Sequence, residues 1–365
     1  ARPASPAASS TSAAPVMPAA PATEAALQPG TPAARSTHRA AGLVVILAAL
    51  ICTVVGSLAV GSNPLTLPQV WQGLWRPDGS EAATIVWTLR LPRAAVAVIV
   101  GSAFGVAGAL IQALTRNPLA DPGILGVNAG AGFAVTLGVG LLGVTGITGY
   151  IWFAFLGAAG ATVLVYLIGS AGKGCASPVT LVLAGVALSA VLGGFSTFLT
   201  LIDENTFRTI RAWGLGSIAR TGLGETLEVA PFLLVGLVLA IAVSGSLNSI
   251  ALGDDLAASL GAKVRRTRIL GLVAVTLLAG GATALTGGIA FVGLMIPHVV
   301  RWFTGPDQRW IIVYSALAAP VLVLASDALG RLLGRPGEIE VGVVTAVVGA
   351  PVLIALVRRR TASGL

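Results

Sequence analysis

Of the 365 residues 55% are hydrophobic and only 10% charged, and the mean hydropathy is +0.91, so too few charges exist to clothe a water-soluble domain of this length. A net charge of +8 and a pI near 10.7 could suit nucleic acid, but the basic residues fall mostly in short connections, where membrane orientation explains them better. Apolar runs reach the roughly 20 residues that cross a hydrocarbon core as helix, and the shorter alternating segments of a transmembrane barrel are missing, so an all-α polytopic membrane protein is expected.

Residues 1–39 are rich in Ala, Pro, Ser and Thr and hold almost no large apolar side chain, which predicts a disordered cytoplasmic tail. Arg35, His38 and Arg39 precede a first span at 41–61, too long for a signal-peptide core and without a clear cleavage site. Residues 62–88 carry Pro64, Pro68, Trp71, Trp75 and Trp87, a composition suited to the outer interface. LRLPR at 89–93 leads into span two (94–114), whose Gly101, Gly105 and Gly108 have the small-xxx-small spacing of close helix contact. TRNPLADPG (115–123) is a two-proline turn, and span three runs from there to residue 142.

Span four covers 150–168, the loop AGKGCAS follows, and span five covers 179–202 with Ser189, Gly193, Gly194 and Ser196 as small or polar points. Residues 203–228 form a longer outer segment able to hold a short surface helix, ahead of span six (229–245). ALGDDLAASLGAKVRRTR (251–268) then interrupts the apolar pattern. Asp254 and Asp255 open a short helix after Gly253, Leu256, Ala257 and Leu260 give it an apolar face, and Gly261 stops it. An amphipathic knob on the cytoplasmic face is one reading; a loop whose basic residues only fix orientation is the other. Spans seven (269–285), eight (286–302, short and glycine-interrupted), nine (311–333) and ten (341–357) complete the pattern, and Arg358, Arg359 and Arg360 stop the last one. The predicted organisation is a ten-helix domain over 40–360 with a cytoplasmic tail at 361–365 and both ends inside, which places more of the 22 Lys and Arg residues inside than outside.

Ionisable residues inside the spans are almost confined to Asp327, with Arg331 one helical turn on, a spacing that predicts a structural ion pair. His298 has no nearby Cys, Asp or Glu and reads as a helix-end residue; neither it, Cys52 nor Cys175 suggests a metal site. No P-loop is present, so ATP chemistry would belong to another chain.

Several segments in order resemble the FecCD-type permeases, the membrane subunits of ABC importers for iron-siderophores, haem and vitamin B12: RLPR (90–93), GxxxGxxGxxxQ (101–112), NPLADPGILGVNAGAG (117–132), GDDLAASLG (253–261), GGIAFVGLMIPHVVR (287–301) and EVGVVTAVVGAP (340–351). The resemblance implies the type II importer permease fold, a second permease copy (identical or related), two cytoplasmic ATPases holding ATP and Mg2+, and an extracytoplasmic binding protein. By the same resemblance residues 251–264 are the ATPase-coupling segment, with Gly253 through Gly261 as the coupling helix. Arg90, Arg93 and Arg331 match positions that receive acidic residues of the binding protein, though helix-flanking anchors are the plainer alternative. Span five resembles the pore-lining helix, with Ser189, Gly193 and Ser196 along the pathway. Ferric siderophore is the expected cargo; haem or vitamin B12 would use the same machine, and an ion-gradient-driven secondary transporter is the alternative of another class.

Overall fold

The computed structural model describes residues 32–61, 63–76, 79–171 and 178–362, and all regular structure among them is helical. The chain divides into two units, Ala1–His38 and Arg39–Leu365. Of the first, residues 32–38 are described, as helical turns; the remainder of the expected tail, the loop holding Cys175 and residues 363–365 lie outside the described residues.

Ten helices among the described residues correspond one to one with the ten expected spans. They are α1 (Pro32–Ala59), α3 (Glu81–Thr115), α4 (Val127–Leu142), α5 (Ile147–Ser170), α6 (Pro178–Ile202), α8 (Leu223–Ile250), α10 (Val264–Thr286), α11 (Val292–Thr304), α12 (Gln308–Leu333) and α13 (Val341–Ala362). Seven of them are long and apolar enough to cross a membrane on their own. Three short helices lie between: α2 (Leu67–Trp75), α7 (Glu204–Gly214) and α9 (Asp254–Ser259).

Glycine spacing builds the centre. A Cβ at Gly101 would stand 2.7 Å from Pro320 Cα, one at Gly105 2.5 Å from the Ser315 carbonyl, and one at Gly108 1.8 Å from the Gly293 carbonyl. The stripe on α3 therefore seats α12 and α11 backbone to backbone, the close approach that holds helices together where lipid offers no hydrophobic drive. Gly130 and Gly157 do the same for α4 and α5, each Cβ position lying within 2.3 Å of the other's carbonyl oxygen. Buried Gln112 ties the same centre, its amide donating to the Leu294 carbonyl at 2.9 Å.

Span six is longer than expected, Leu223–Ile250 against 229–245, and three further boundaries shift for identifiable reasons. Span two begins at Glu81, because a π-helical turn at Val86–Arg90 carries the chain past Pro92, whose missing N–H and ring would otherwise break the ladder. Span seven begins at Val264 and so takes in Arg265, Arg266 and Arg268, good helix formers with long stems that can reach the membrane boundary. Span eight starts only at Val292, and its 13 residues cover about 20 Å. The extended stretch before it is packed inside protein: a Cβ on Gly287, at φ 75°, would lie 1.9 Å from the Trp213 carbonyl, and Ser217 N–H donates to the Thr286 carbonyl at 2.7 Å. Non-helical backbone at membrane depth is tolerated in such a setting. His298 consequently sits in the middle of α11 rather than at a helix end, buried, with its ring 5.9 Å from that of Trp302.

Candidate functional site

The polar interruption at 251–268 forms α9, a six-residue helix between Gly253 (φ 113°) and Gly261 (φ 84°), backbone angles that only glycine adopts cheaply. Its apolar residues divide. Ala257 is fully buried and anchors the helix, while Leu256 and Leu260 are 50% and 63% exposed. Two leucines turned outward on a helix too short to be stable alone make a projection suited to a groove on another protein.

Asp254, at the start of α9, holds the knob to the bundle. One carboxylate oxygen accepts from the Arg116 guanidinium and the other from Arg268 Nη2 at 2.7 Å. Arg116 closes α3 in the left-handed conformation (φ 51°), which costs a non-glycine residue about 1 kcal/mol. Asp255 is exposed. Nearby, Asn248 Nδ2 donates to Asp307 at 2.8 Å and Gln308 N–H donates to Asn248 Oδ1 at 2.8 Å, tying the last turn of α8 to the start of α12. Arg268 is one of the basic residues of the 251–268 stretch, whereas the Arg116–Asp254 pair and the Asn248–Asp307 tie carry no local sequence signal, joining positions 138 and 59 residues apart.

At the far end of α3, about 35 Å from Arg116 along the helix axis, the structure brings Arg90, Arg93 and Arg331 together. Arg93 donates to Asp327 (Nε at 3.0 Å, Nη2 at 2.6 Å) and to Glu338 (Nη1 at 2.7 Å). Arg331 pairs with Asp327 at 2.9 Å, the expected i,i+4 pair, with side chains 3% and 1% exposed. Other donors of Arg90 and Arg331, together with Arg335, take carbonyls at and just beyond the C-terminal end of α1. Arg90 Nη1 donates to the Leu58 and Ala59 carbonyls at 2.5 and 2.9 Å, and its Nη2 to the Asn63 carbonyl. Arg331 donates to the Ser57 carbonyl at 3.0 Å, to Ser57 Oγ at 2.7 Å and to the Val60 carbonyl; Arg335 Nη2 donates to the Gly61 carbonyl at 2.7 Å. The Ser57, Leu58 and Ala59 carbonyls belong to the last turn of α1, which a helix leaves without intrahelical partners, and those of Val60, Gly61 and Asn63 follow it. Arg90 and Arg331 are thus buried and spent on α1, and of the three expected docking arginines only Arg93, with its side chain 15% exposed, reaches the surface.

Ser189, Gly193 and Ser196 recur at i, i+4, i+7 and share one stripe of α6. The serines are half-buried; Gly193 is exposed, with open space where a Cβ would stand. On the same end as the arginines lies α7, whose first turn is capped by Asp203. That carboxylate accepts from Thr206 N–H at 2.7 Å and Thr206 Oγ1 at 2.5 Å, which holds it below the usual carboxylate range. Among the described residues no group of three or more His, Cys, Asp or Glu could hold a metal ion.

A model of the FecCD transport family matches residues 39–359. The chain is 46% identical over 328 residues to the ferric enterobactin transport system permease protein of Escherichia coli (strain K12), covering 89% of this chain and 97% of that one. It is 37% identical over 328 residues to the Fe(3+)-citrate import system permease protein of Bacillus subtilis (strain 168), covering 89% and 96%. Identity to the hemin transport system permease protein of Yersinia pestis is 33% over 325 residues, covering 87% and 95%. A solved structure, an inward-facing conformation assigned to a metal-chelate type of ABC transporter, superposes with a TM-score of 0.79 at 28% identity, covering 87% of this chain and 99% of that one.

Proposed function

The chain belongs to the FecCD transport family, and from that premise we propose that it is the permease subunit of an ATP-driven importer of ferric siderophores. The observation that carries the proposal is α9, a short helix in the connection between two spans, from which Leu256 and Leu260 project while Ala257 is buried. In this reading the knob enters a groove on a separate cytoplasmic ATPase that binds ATP and Mg2+, two permease copies pair, and an extracytoplasmic binding protein delivers the cargo. This chain binds no cofactor of its own and performs no hydrolysis. It lies in the cell membrane with both termini in the cytoplasm, so that α9 faces inward and the arginine cluster outward.

Transport then proceeds by alternating access. Closure of the ATPase dimer on ATP displaces the knobs and shifts the balance between outward- and inward-open states, to the extent that nucleotide favours one state over the other. Cargo leaves the binding protein at the arginine end and passes along the stripe of Ser189, Gly193 and Ser196. Of the arginines matched to the family's docking positions, Arg93 suits that role, exchanging Glu338 for a carboxylate of the binding protein, while Arg90 and Arg331 hold α1 behind it. Siderophore is favoured over haem because the ferric enterobactin relative is nearer in sequence than the hemin relative, at 46% against 33% identity. Proton-coupled carriers usually keep an ionisable residue in the membrane whose charge changes, and Asp327 is instead buried between two arginines.

Co-purification tests the ATPase contact. The ATPase should stay with the wild-type permease and be lost from Leu256→Asp/Leu260→Asp, which alters exposed residues only; retention of the ATPase by that variant would remove the knob from the account.

A further inference from the structure

Besides its chain connections to α8 and α10 and its buried Ala257, α9 is tied to the bundle by ion pairs. The helix hangs between Gly253 and Gly261, both at positive φ and both with open space around the Cβ position, so its two ends can swivel. Through the single carboxylate of Asp254 it is joined to two different membrane helices, to α3 by Arg116 and to α10 by Arg268. Arg116 and Asp254 are 36% and 40% exposed, and ion pairs so placed contribute little to resting stability. Arg116 also occupies a left-handed helix-closing position at φ 51°, where glycine or asparagine serves better as backbone. Ending α3 therefore does not require a long basic side chain; reaching Asp254 does.

We infer that Arg116–Asp254–Arg268 is a two-armed tether that converts displacement of α9 into movement of α3 and α10. Arg116 and Arg268 act here as positioning residues, and the inference rests on the reading of α9 as the ATPase contact. The α3 arm is the longer one. Glu81–Thr115 is one continuous helix, so a pull at Arg116 is delivered to Arg93 and the ion pairs at the opposite end. The α10 arm enters a helix with a π-helical turn at Thr276–Gly280, a local irregularity at which a helix can change its winding.

Arg116→Gly is the informative variant, since glycine accepts the backbone angle and only the tether is lost; Arg116→Lys keeps the charge. The first measurement uses the permease alone, with Cys52 and Cys175 replaced by serine and spin labels at Ser259 on α9 and Thr88 on α3. A narrow distance distribution is expected in the parent and in Arg116→Lys, and a broad one in Arg116→Gly; an unchanged distribution in Arg116→Gly overturns the tether. The second uses the assembled importer and records uptake and ATP hydrolysis together. Arg116→Gly should keep its ATPase and hydrolyse ATP while uptake per ATP falls roughly tenfold, with Arg116→Lys recovering most of it. An unchanged ratio, or a loss of thermal stability in Arg116→Gly that accounts for the defect, overturns the inference. Failure of the underlying reading shows elsewhere: the ATPase would remain on the Leu256→Asp/Leu260→Asp variant, while the spin-label measurement still decides whether the tether exists.

Discussion

Replacing Arg331 by alanine separates the two roles available to the arginine cluster. The side chain is 3% exposed and makes one ion pair, at 2.9 Å to Asp327, besides hydrogen bonds to the Ser57 carbonyl (3.0 Å), Ser57 Oγ (2.7 Å) and the Val60 carbonyl. Removing one member of a buried pair costs about 3–5 kcal/mol when its partner is stranded. Asp327 is not fully stranded, because Arg93 still donates to it at 2.6 Å, so the low end, about 3 kcal/mol, is expected. Much of that loss falls on α1, where only 11% of the apolar window is buried inside the chain and the attachments at the helix ends matter correspondingly. The assay is thermal unfolding in detergent followed by size-exclusion, with Asp327→Asn and the double variant completing a cycle. The midpoint should fall by several degrees in Arg331→Ala, and the double variant should lose less than the sum, by about 1 kcal/mol or more, as residues in one network do. An unchanged midpoint combined with weaker capture of the binding protein would refute the reasoning and return Arg331 to the docking surface.

Gly108→Ala should strongly lower thermal stability, since its Cβ would fall 1.8 Å from the Gly293 carbonyl, whereas Gly193→Ala, with open space around it, should leave stability unchanged or slightly raised. The same unfolding assay compares them, and equal effects would contradict the packing described for α3. Arg93→Glu should weaken binding-protein capture more than Arg90→Gln does, because only Arg93 of the two reaches the surface; surface-plasmon measurements on the reconstituted permease read the difference. The cap at Asp203 depends on its charge: a carboxyl depressed when folded contributes above its unfolded value of about 3.9 and is lost as pH falls through the lower folded one. At pH 7 Asp203→Ala should speed hydrogen exchange over the first turn of α7, and this difference from the parent should vanish in strong acid.

The parts of this molecule legible in the sequence are those fixed by local pattern. Ten apolar runs gave ten helices, the spacing of Gly101, Gly105 and Gly108 gave close helix contacts, and Asp327 with Arg331 gave a buried pair. The knob was visible in GDDLAASLG, although the outward turn of Leu256 and Leu260 against the burial of Ala257 depends on what packs behind the helix. Boundaries failed where irregular backbone extended a helix past a breaker, as the π-helical turn does before Pro92, and at span eight, where packing against Trp213 lets extended chain replace helix. Long-range partners were invisible. Nothing local tells that Arg90 reaches back to Leu58 and Ala59, or that Arg116 finds Asp254 across 138 residues. That Arg90 and Arg331 are buried while Arg93 reaches the surface belongs to the tertiary structure.

Uptake into proteoliposomes carrying the permease, its ATPase and its binding protein tests the central claim most directly, with ferric siderophore, haem and cobalamin each offered with and without ATP. ATP-dependent accumulation of the ferric siderophore, abolished by Leu256→Asp/Leu260→Asp, is the predicted result. Accumulation that survives without ATP and collapses with an uncoupler, or that ignores the knob substitutions, would contradict it.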